Sequence, residues 1–263
     1  MKEQMHIYYR THGGENRAPR PEWYSKGLCL KSILLAFDDV QKKTSTELII
    51  LHDGKMKENP EWSNELKTLI ANRGDIVELP KKGNSQSCMD AVLRGADNAS
   101  GDMVLFAEDD YLWLLPGLSE LADAFSSTPG HYFTLYDHPV RYQPNYPLGA
   151  DYSHWNNTIH ITEHRHWRSQ ESTCMTFATT AKTLQEDLEY FEKYKDNGKG
   201  SPEDRELFRE MQSLGDYNYR DLQNPRLLLG PMPSLNTHVH LPWLAPIIDW
   251  HEAANIVKDT KLK

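Results

Sequence analysis

Val104-Leu105-Phe106-Ala107-Glu108-Asp109-Asp110-Tyr111-Leu112-Trp113 sets an apolar run against three consecutive acids and then turns apolar again. An unbroken run from Met103 to Ala107, with no polar alternation, reads as a strand buried on both faces. That is the pattern of a mostly parallel sheet covered by helices. Acids often follow strands because turns are polar. Three in a row between two apolar runs ask for a further reason.

Working outward, the same rhythm recurs on the N-terminal side. Residues 6–10 form a β-rich run that opens into Thr11-His12-Gly13-Gly14, and 47–51 read as a strand ending at His52-Asp53-Gly54. Residues 76–79 read as a third strand. Between them lie helical patterns at 22–39, 60–72 and 85–98, the last with Met89, Val92, Leu93 and Ala96 at helical spacing. Pro116 opens another, with Leu118, Leu121, Ala122 and Phe125 on one side. Strand–helix alternation of this kind predicts an α/β fold, a mostly parallel sheet flanked by helices.

Beyond residue 130 the character changes. A Tyr-, Pro- and His-rich stretch at 130–157 predicts a long loop with a short strand. Residues 171–179 read as a strand, and 182–194 and 202–214 as helices joined by a flexible segment at 196–200. The proline-rich 224–250 region cannot be one regular element.

The bulk numbers exclude several classes. At 263 residues and 38% hydrophobic content the chain suits a single domain with a sizeable core. A net charge of −9 argues against nucleic acid as a partner, which calls for a basic surface. No apolar run approaches the roughly 18 residues of a transmembrane segment, and the start lacks a signal-peptide core, so a soluble, cytoplasmic protein is expected. Cys29, Cys88 and Cys174 are widely spaced and read as reduced thiols. Twelve histidines keep metal chemistry open.

In open α/β sheets ligands sit beyond the carboxyl ends of the strands. Three strand ends here carry polar groups: Arg10 to Gly14, His52 to Gly54, and Glu108 to Asp110. Hard oxygen ligands on a tight turn suit Mg²⁺ or Mn²⁺, ions that commonly bridge to substrate phosphates.

Taken in order, the first strand with its polar end, Asp53-Gly54, Gly83-Asn84-Ser85, the Ser100-Gly101-Asp102 lead-in and the Glu108-Asp109-Asp110 turn resemble an inverting, family 2-like glycosyltransferase of the GT-A fold. The likeness is close over residues 5–125 and loose beyond. It departs from the family's DXD signature in reading EDD. The resemblance implies one domain over 1–263, with a nucleotide-sugar-binding half at 1–127 and an acceptor and catalytic half at 128–263. It implies a nucleotide-sugar donor, UDP-linked, and an acceptor that is a glycan, a lipid, a protein or a small molecule. By correspondence Asp110 ligates Mn²⁺ or Mg²⁺, Glu108 and Asp109 act through water or on the ribose, and Thr11 and Asp53 meet the base. Asp-Gly is equally a turn signal. The general base is sought in Ser201-Pro202-Glu203-Asp204, with Asp204 first and Glu203 second. Ser at the N-cap, Pro after it and acids in the first turn are also ordinary helix-start chemistry. A C-terminal histidine completing the metal shell points to His238, then His240, with His164 and His166 as a competing pair. Arg165 and Arg168 are candidates for the diphosphate. Tyr132, Tyr136, Tyr142, Tyr146, Tyr152, Trp155 and Trp167 are candidates for stacking on an acceptor sugar, or for a small core of their own.

Other readings compete. A nucleotidylyltransferase would want a Gly-rich basic loop where only His12-Gly13-Gly14-Glu15-Asn16-Arg17 stands. A catalytically weak or inactive nucleotide- or carbohydrate-binding protein would keep the fold and bind without turnover. A phospho-acceptor domain would be shorter and need a lysine after a later strand.

Overall fold

The computed structural model describes residues 4–15, 18–80, 83–142, 157–214 and 225–262. Among the described residues eleven strands and seven α-helices follow one another, beginning with β1 Met5–His12, α1 Lys26–Val40, β2 Thr46–Asp53, α2 Pro60–Ile70, β3 Gly74–Leu79, α3 Asn84–Ala96, β4 Met103–Glu108, β5 Tyr111–Trp113 and α4 Gly117–Ser127. The second half adds β6 Tyr132–Phe133, β7 Ile159–Ile161, β8 His166–Ser169, β9 Phe177–Thr180, α5 Ala181–Lys193, α6 Asp204–Met211, β10 Leu228–Met232, β11 Asn236–His238 and α7 Trp250–Asp259.

Nine strands make one sheet in the order β3-β2-β1-β4-β9-β6-β10-β8-β7. The first four are mutually parallel, and β10 is parallel to β6. Following the antiparallel pairs leaves only β9 and β8 running against the rest. The expected α/β fold, mostly parallel and helix-flanked, is the fold observed.

The run at β4 is continuous because the sheet is covered on both sides. Met103, Leu105 and Ala107 join the core under α1, with Ile33, Leu34 and Phe37. Val104 and Phe106 face the other way, into the core with Ala91 and Val92 of α3 and Leu184 of α5. Each fully buried side chain of this kind contributes about 1.5–3 kcal/mol. Helix starts are set locally: Ser25 Oγ accepts from Leu28 N at 3.0 Å, and Asn59 Oδ1 accepts from Trp62 N at 3.2 Å ahead of Pro60.

Some expected elements differ. The strand read at 171–179 is confined to Phe177–Thr180. The residues before it are irregular because Thr173 and Thr176 spend their hydroxyls on Thr134 and Glu108. The helix read at 202–214 spans only Asp204–Met211, with Glu203 rather than Ser201 at the N-cap. Tyr111–Trp113, read only as a second apolar run, is a strand paired with Asn236–His238 in a separate two-stranded sheet. Among the described residues no helix is long and apolar enough to cross a membrane.

Candidate functional site

The strand order reverses between β1 and β4. The chain lays β2 and β3 on one side of β1, then returns to place β4 on the other. A cleft beyond the carboxyl ends of such strands is where open α/β sheets bind ligands. Here it is a crevice of 820 Å³ lined by Arg10 to Gly14 from β1, His52 and Asp53 from β2, and Glu108 to Asp110 from β4. Asn84 and Ser87 of α3 close one wall, and Ser201 lies at the rim. The volume lies within the range of about 300–1,000 Å³ usual for small-molecule sites.

Each acid of the turn has its own cation. Arg10 Nη2 lies 2.7 Å from Glu108 Oε1 and holds Asn84 Oδ1 and Ser87 Oγ with its other arm. Lys26 Nζ lies 2.8 Å from Asp109 Oδ2 and also donates to the carbonyls of His12 and Gly14. Arg20 Nη2 donates to Asp110 Oδ2 at 2.9 Å. Buried carboxylates need this kind of pairing. Nothing in the acids' spacing names the partners, so none of the three cations was legible as such from sequence.

The three acids differ in their electrostatics. Burial drives the Glu108 carboxyl above the usual range, against the pull of Arg10. Burial pushes Asp110 up as well, but the hydrogen bond and charge of His238, with Arg20, outweigh it and hold Asp110 well below the usual carboxylate range. Asp109 accepts the Thr11 hydroxyl at 2.6 Å, so Thr11, expected at the base, faces the crevice while bonded to the acid turn.

His238 reaches Asp110 through β11. His238 pairs with Tyr111 across the small sheet, its ring stacks on Tyr111 at 5.2 Å, and its Nε2 stands 3.0 Å from Asp110 Oδ2. His240 lies farther out, edge-on to His238 at 5.8 Å and against Trp243. Asp110 and His238 therefore offer a carboxylate and an imidazole together, a donor set that fits Mn²⁺ or Mg²⁺. Among the described residues no group of three His, Cys, Asp or Glu side chains is gathered for an ion. The pair suits an ion that takes its remaining ligands from phosphate oxygens and water.

A second recess of 370 Å³ is lined by Asn197, Lys199, Pro202, Glu203, Asp204 and Arg205, next in the chain to Ser201 at the rim of the crevice. Burial and the charge of Glu108 raise the Asp204 carboxyl to about 7. Glu203 is exposed at the helix N-cap with no side-chain capping bond. The helix start is tied to the segment between β8 and β9 through Glu171, which meets Arg205 at 3.1 Å, Arg209 at 3.3 Å and Arg141 at 3.5 Å.

The Asp53-Gly54 pair forms the turn that its sequence signals. Gly54 has φ +91° and donates its N–H to Leu79, while Asp53 lines the crevice. Other candidates are placed elsewhere. Arg165 pairs with Glu120 of α4 and Arg168 with Asp137, so both are spent in structural ion pairs rather than offered to a diphosphate. His164 is exposed beside Glu163, and His166 is exposed on β8. Tyr132, Tyr136 and Trp167 are core residues, whereas Tyr142 is half-exposed beside Asp137. Tyr146, Tyr152 and Trp155 lie outside the described residues.

No family model and no curated protein matches the chain. Solved structures resemble it distantly. Residues 1–349 of S. aureus TarS are 12% identical, with 100% of this chain and 67% of that one covered at a TM-score of 0.49. CMP:2-keto-3-deoxy-manno-octonic acid synthetase with CTP is 10% identical, covering 98% and 100% at 0.47. Galactosyltransferase LgtC with donor and acceptor sugar analogues is 13% identical, covering 78% and 69% at 0.41. Likeness this remote carries no argument about chemistry, which has to come from the site.

Proposed function

We propose that the chain is a glycosyltransferase that moves a sugar from a nucleoside-diphosphate donor, UDP-linked, to an acceptor hydroxyl. One observation carries the reading: Asp110, bonded to His238, lines a crevice at the sheet's switch point, and Asp204, which lines a second recess, has a carboxyl raised by burial and by the charge of Glu108 in that same crevice. An ion-holding pair and a raised carboxyl that feel each other's charge are what transfer from a donor to an acceptor hydroxyl requires.

In this reading the nucleotide lies along Thr11 to Gly14 and Asp53, with Asp53 accepting a base N–H. Asp110 and His238 hold Mn²⁺ or Mg²⁺. Bound there, a divalent ion supplies Lewis-acid neutralisation of the diphosphate leaving group. The chain's own residues do the rest. Asp204 takes the proton of the acceptor hydroxyl as it attacks the anomeric carbon, which inverts the configuration. A carboxyl near 7 suits this task because a base works best with a pKa close to the working pH. Glu171, through Arg205 and Arg209, fixes the direction of the α6 start and thereby of Asp204.

The test is release of nucleoside diphosphate from a panel of nucleotide sugars with Mn²⁺. Wild-type protein should release it from at least one donor, and Asp204→Asn should bind that donor without releasing it. Binding without release by the wild type, across the panel and with acceptors supplied, would favour the non-enzymatic alternative.

A further inference from the structure

Asp110 presents one carboxylate oxygen to two donors at once. Arg20 Nη2 stands 2.9 Å from Oδ2, and His238 Nε2 stands 3.0 Å from the same atom. The other arm of the Arg20 fork donates to the Val239 carbonyl. The guanidinium lies over the Tyr24 ring, 4.6 Å from its centroid, and the side chain is 12% exposed. Its segment is docked to the same edge, for Leu241 N donates to Pro19 O at 3.0 Å.

The three cations of the acid turn are not equivalent. Arg10 belongs to β1 and also grips α3 through Asn84 and Ser87. Lys26 belongs to α1 and also holds the carbonyls of the first turn. Both fasten backbone elements together. Arg20 sits on an irregular segment between β1 and α1, and its fork covers the acid that the site offers to an ion.

A guanidinium and a divalent cation repel, and here they compete for one oxygen. A diphosphate resolves the competition. Its paired oxygens match the planar fork of an arginine, which binds phosphate in bidentate fashion. We propose that Arg20 is a donor-binding residue that exchanges partners: it covers Asp110 while no donor is bound and passes to the diphosphate when donor and ion arrive together. The inference rests on the crevice taking a nucleoside diphosphate. It has a consequence of its own. The ion alone binds weakly, and ion and nucleotide each strengthen the other's binding, since what moves Arg20 off Asp110 is the phosphate.

Calorimetry tests this with MnCl₂ alone, and with UDP, CDP, GDP and ADP at saturating Mn²⁺, titrated into wild type, Arg20→Gln and Arg20→Lys, with circular dichroism to check folding. Arg20→Gln should bind Mn²⁺ alone at least tenfold more tightly and the nucleotide with Mn²⁺ at least tenfold more weakly. Arg20→Lys, which keeps a charge and loses the fork, should shift both in the same directions by less, and it carries the test should the glutamine variant not fold. Unchanged Mn²⁺ affinity, or unchanged nucleotide affinity, in the variants would overturn the exchange while leaving the crevice reading intact. A wild type that binds none of the four nucleotides would overturn both.

Discussion

His238 Nε2 meets Asp110 Oδ2 at 3.0 Å although 128 residues separate them in sequence. The contact follows from strand register. β11 runs antiparallel to β5 with His238 opposite Tyr111, so the histidine arrives beside the residue that precedes β5. Val239 N also donates to the Asp110 carbonyl at 2.8 Å. Two strands, rather than an adjustable loop, fix the pair, which is the kind of support a preorganised site needs.

Asp110→Asn keeps the shape and removes the charge. Nucleoside diphosphate affinity in Mn²⁺ should fall at least about tenfold, and kcat/KM by about 10²–10³, the scale for losing one preorganised electrostatic contact. Stability should also respond. A carboxylate whose folded pKa is depressed stabilises the fold above its unfolded pKa and loses that contribution as pH falls through the folded value. Thermal melts should show the variant less stable than wild type at neutral pH, with the gap narrowing below about pH 4.

Asp204→Asn should lower kcat by about 10²–10⁴, the contribution of a positioned general base, with donor affinity kept. The wild-type rate should rise with pH through about 7 as the carboxyl ionises. Its stability should move the other way. A carboxyl raised to about 7 binds a proton in the folded state that the unfolded chain has already released, so donor-free stability falls as pH climbs from the ordinary carboxylate range to about 7. The asparagine variant escapes that loss. Melts should find it stabilised relative to wild type at pH 8 and not at pH 4.

Gly95→Ala tests how the crevice wall is held. A Cβ there would lie 2.7 Å from Phe106 Cζ and 2.9 Å from Val104 Cγ1, both in the closed core between α3 and β4. Overpacking of this kind costs about 1–3 kcal/mol. Because Asn84 and Ser87 sit on the same helix and bond Arg10, the variant should weaken nucleotide binding as well as lower Tm. A lowered Tm with unchanged nucleotide affinity would show that the wall tolerates a shifted helix.

The first half of the fold was legible because its signals are local. Val104 to Ala107 had to be buried on both faces, α2 carries its own capped start, and α2 and α3 both carry apolar stripes. The second half is built from strands of two to five residues whose partners lie far away in sequence, such as β6 with β9 and β5 with β11. Such short pieces carry too little periodicity to read. Residues 171–176 have strand-like composition but turn instead, because Thr173, Thr176 and Glu171 are held by side-chain bonds. At the site, the acid turn and the candidates His238 and Asp204 were readable as residue types in a plausible order. Arg10, Arg20 and Lys26 were not, since a long cationic side chain does not declare its partner, and Arg20 and Lys26 lie outside the strand ends that drew attention.

The most direct measurement is calorimetric titration of UDP into the wild type and Asp110→Ala, each with and without Mn²⁺. The account predicts binding by the wild type that requires Mn²⁺ and disappears in Asp110→Ala. UDP binding of equal strength without the metal, or undiminished in Asp110→Ala, would contradict it.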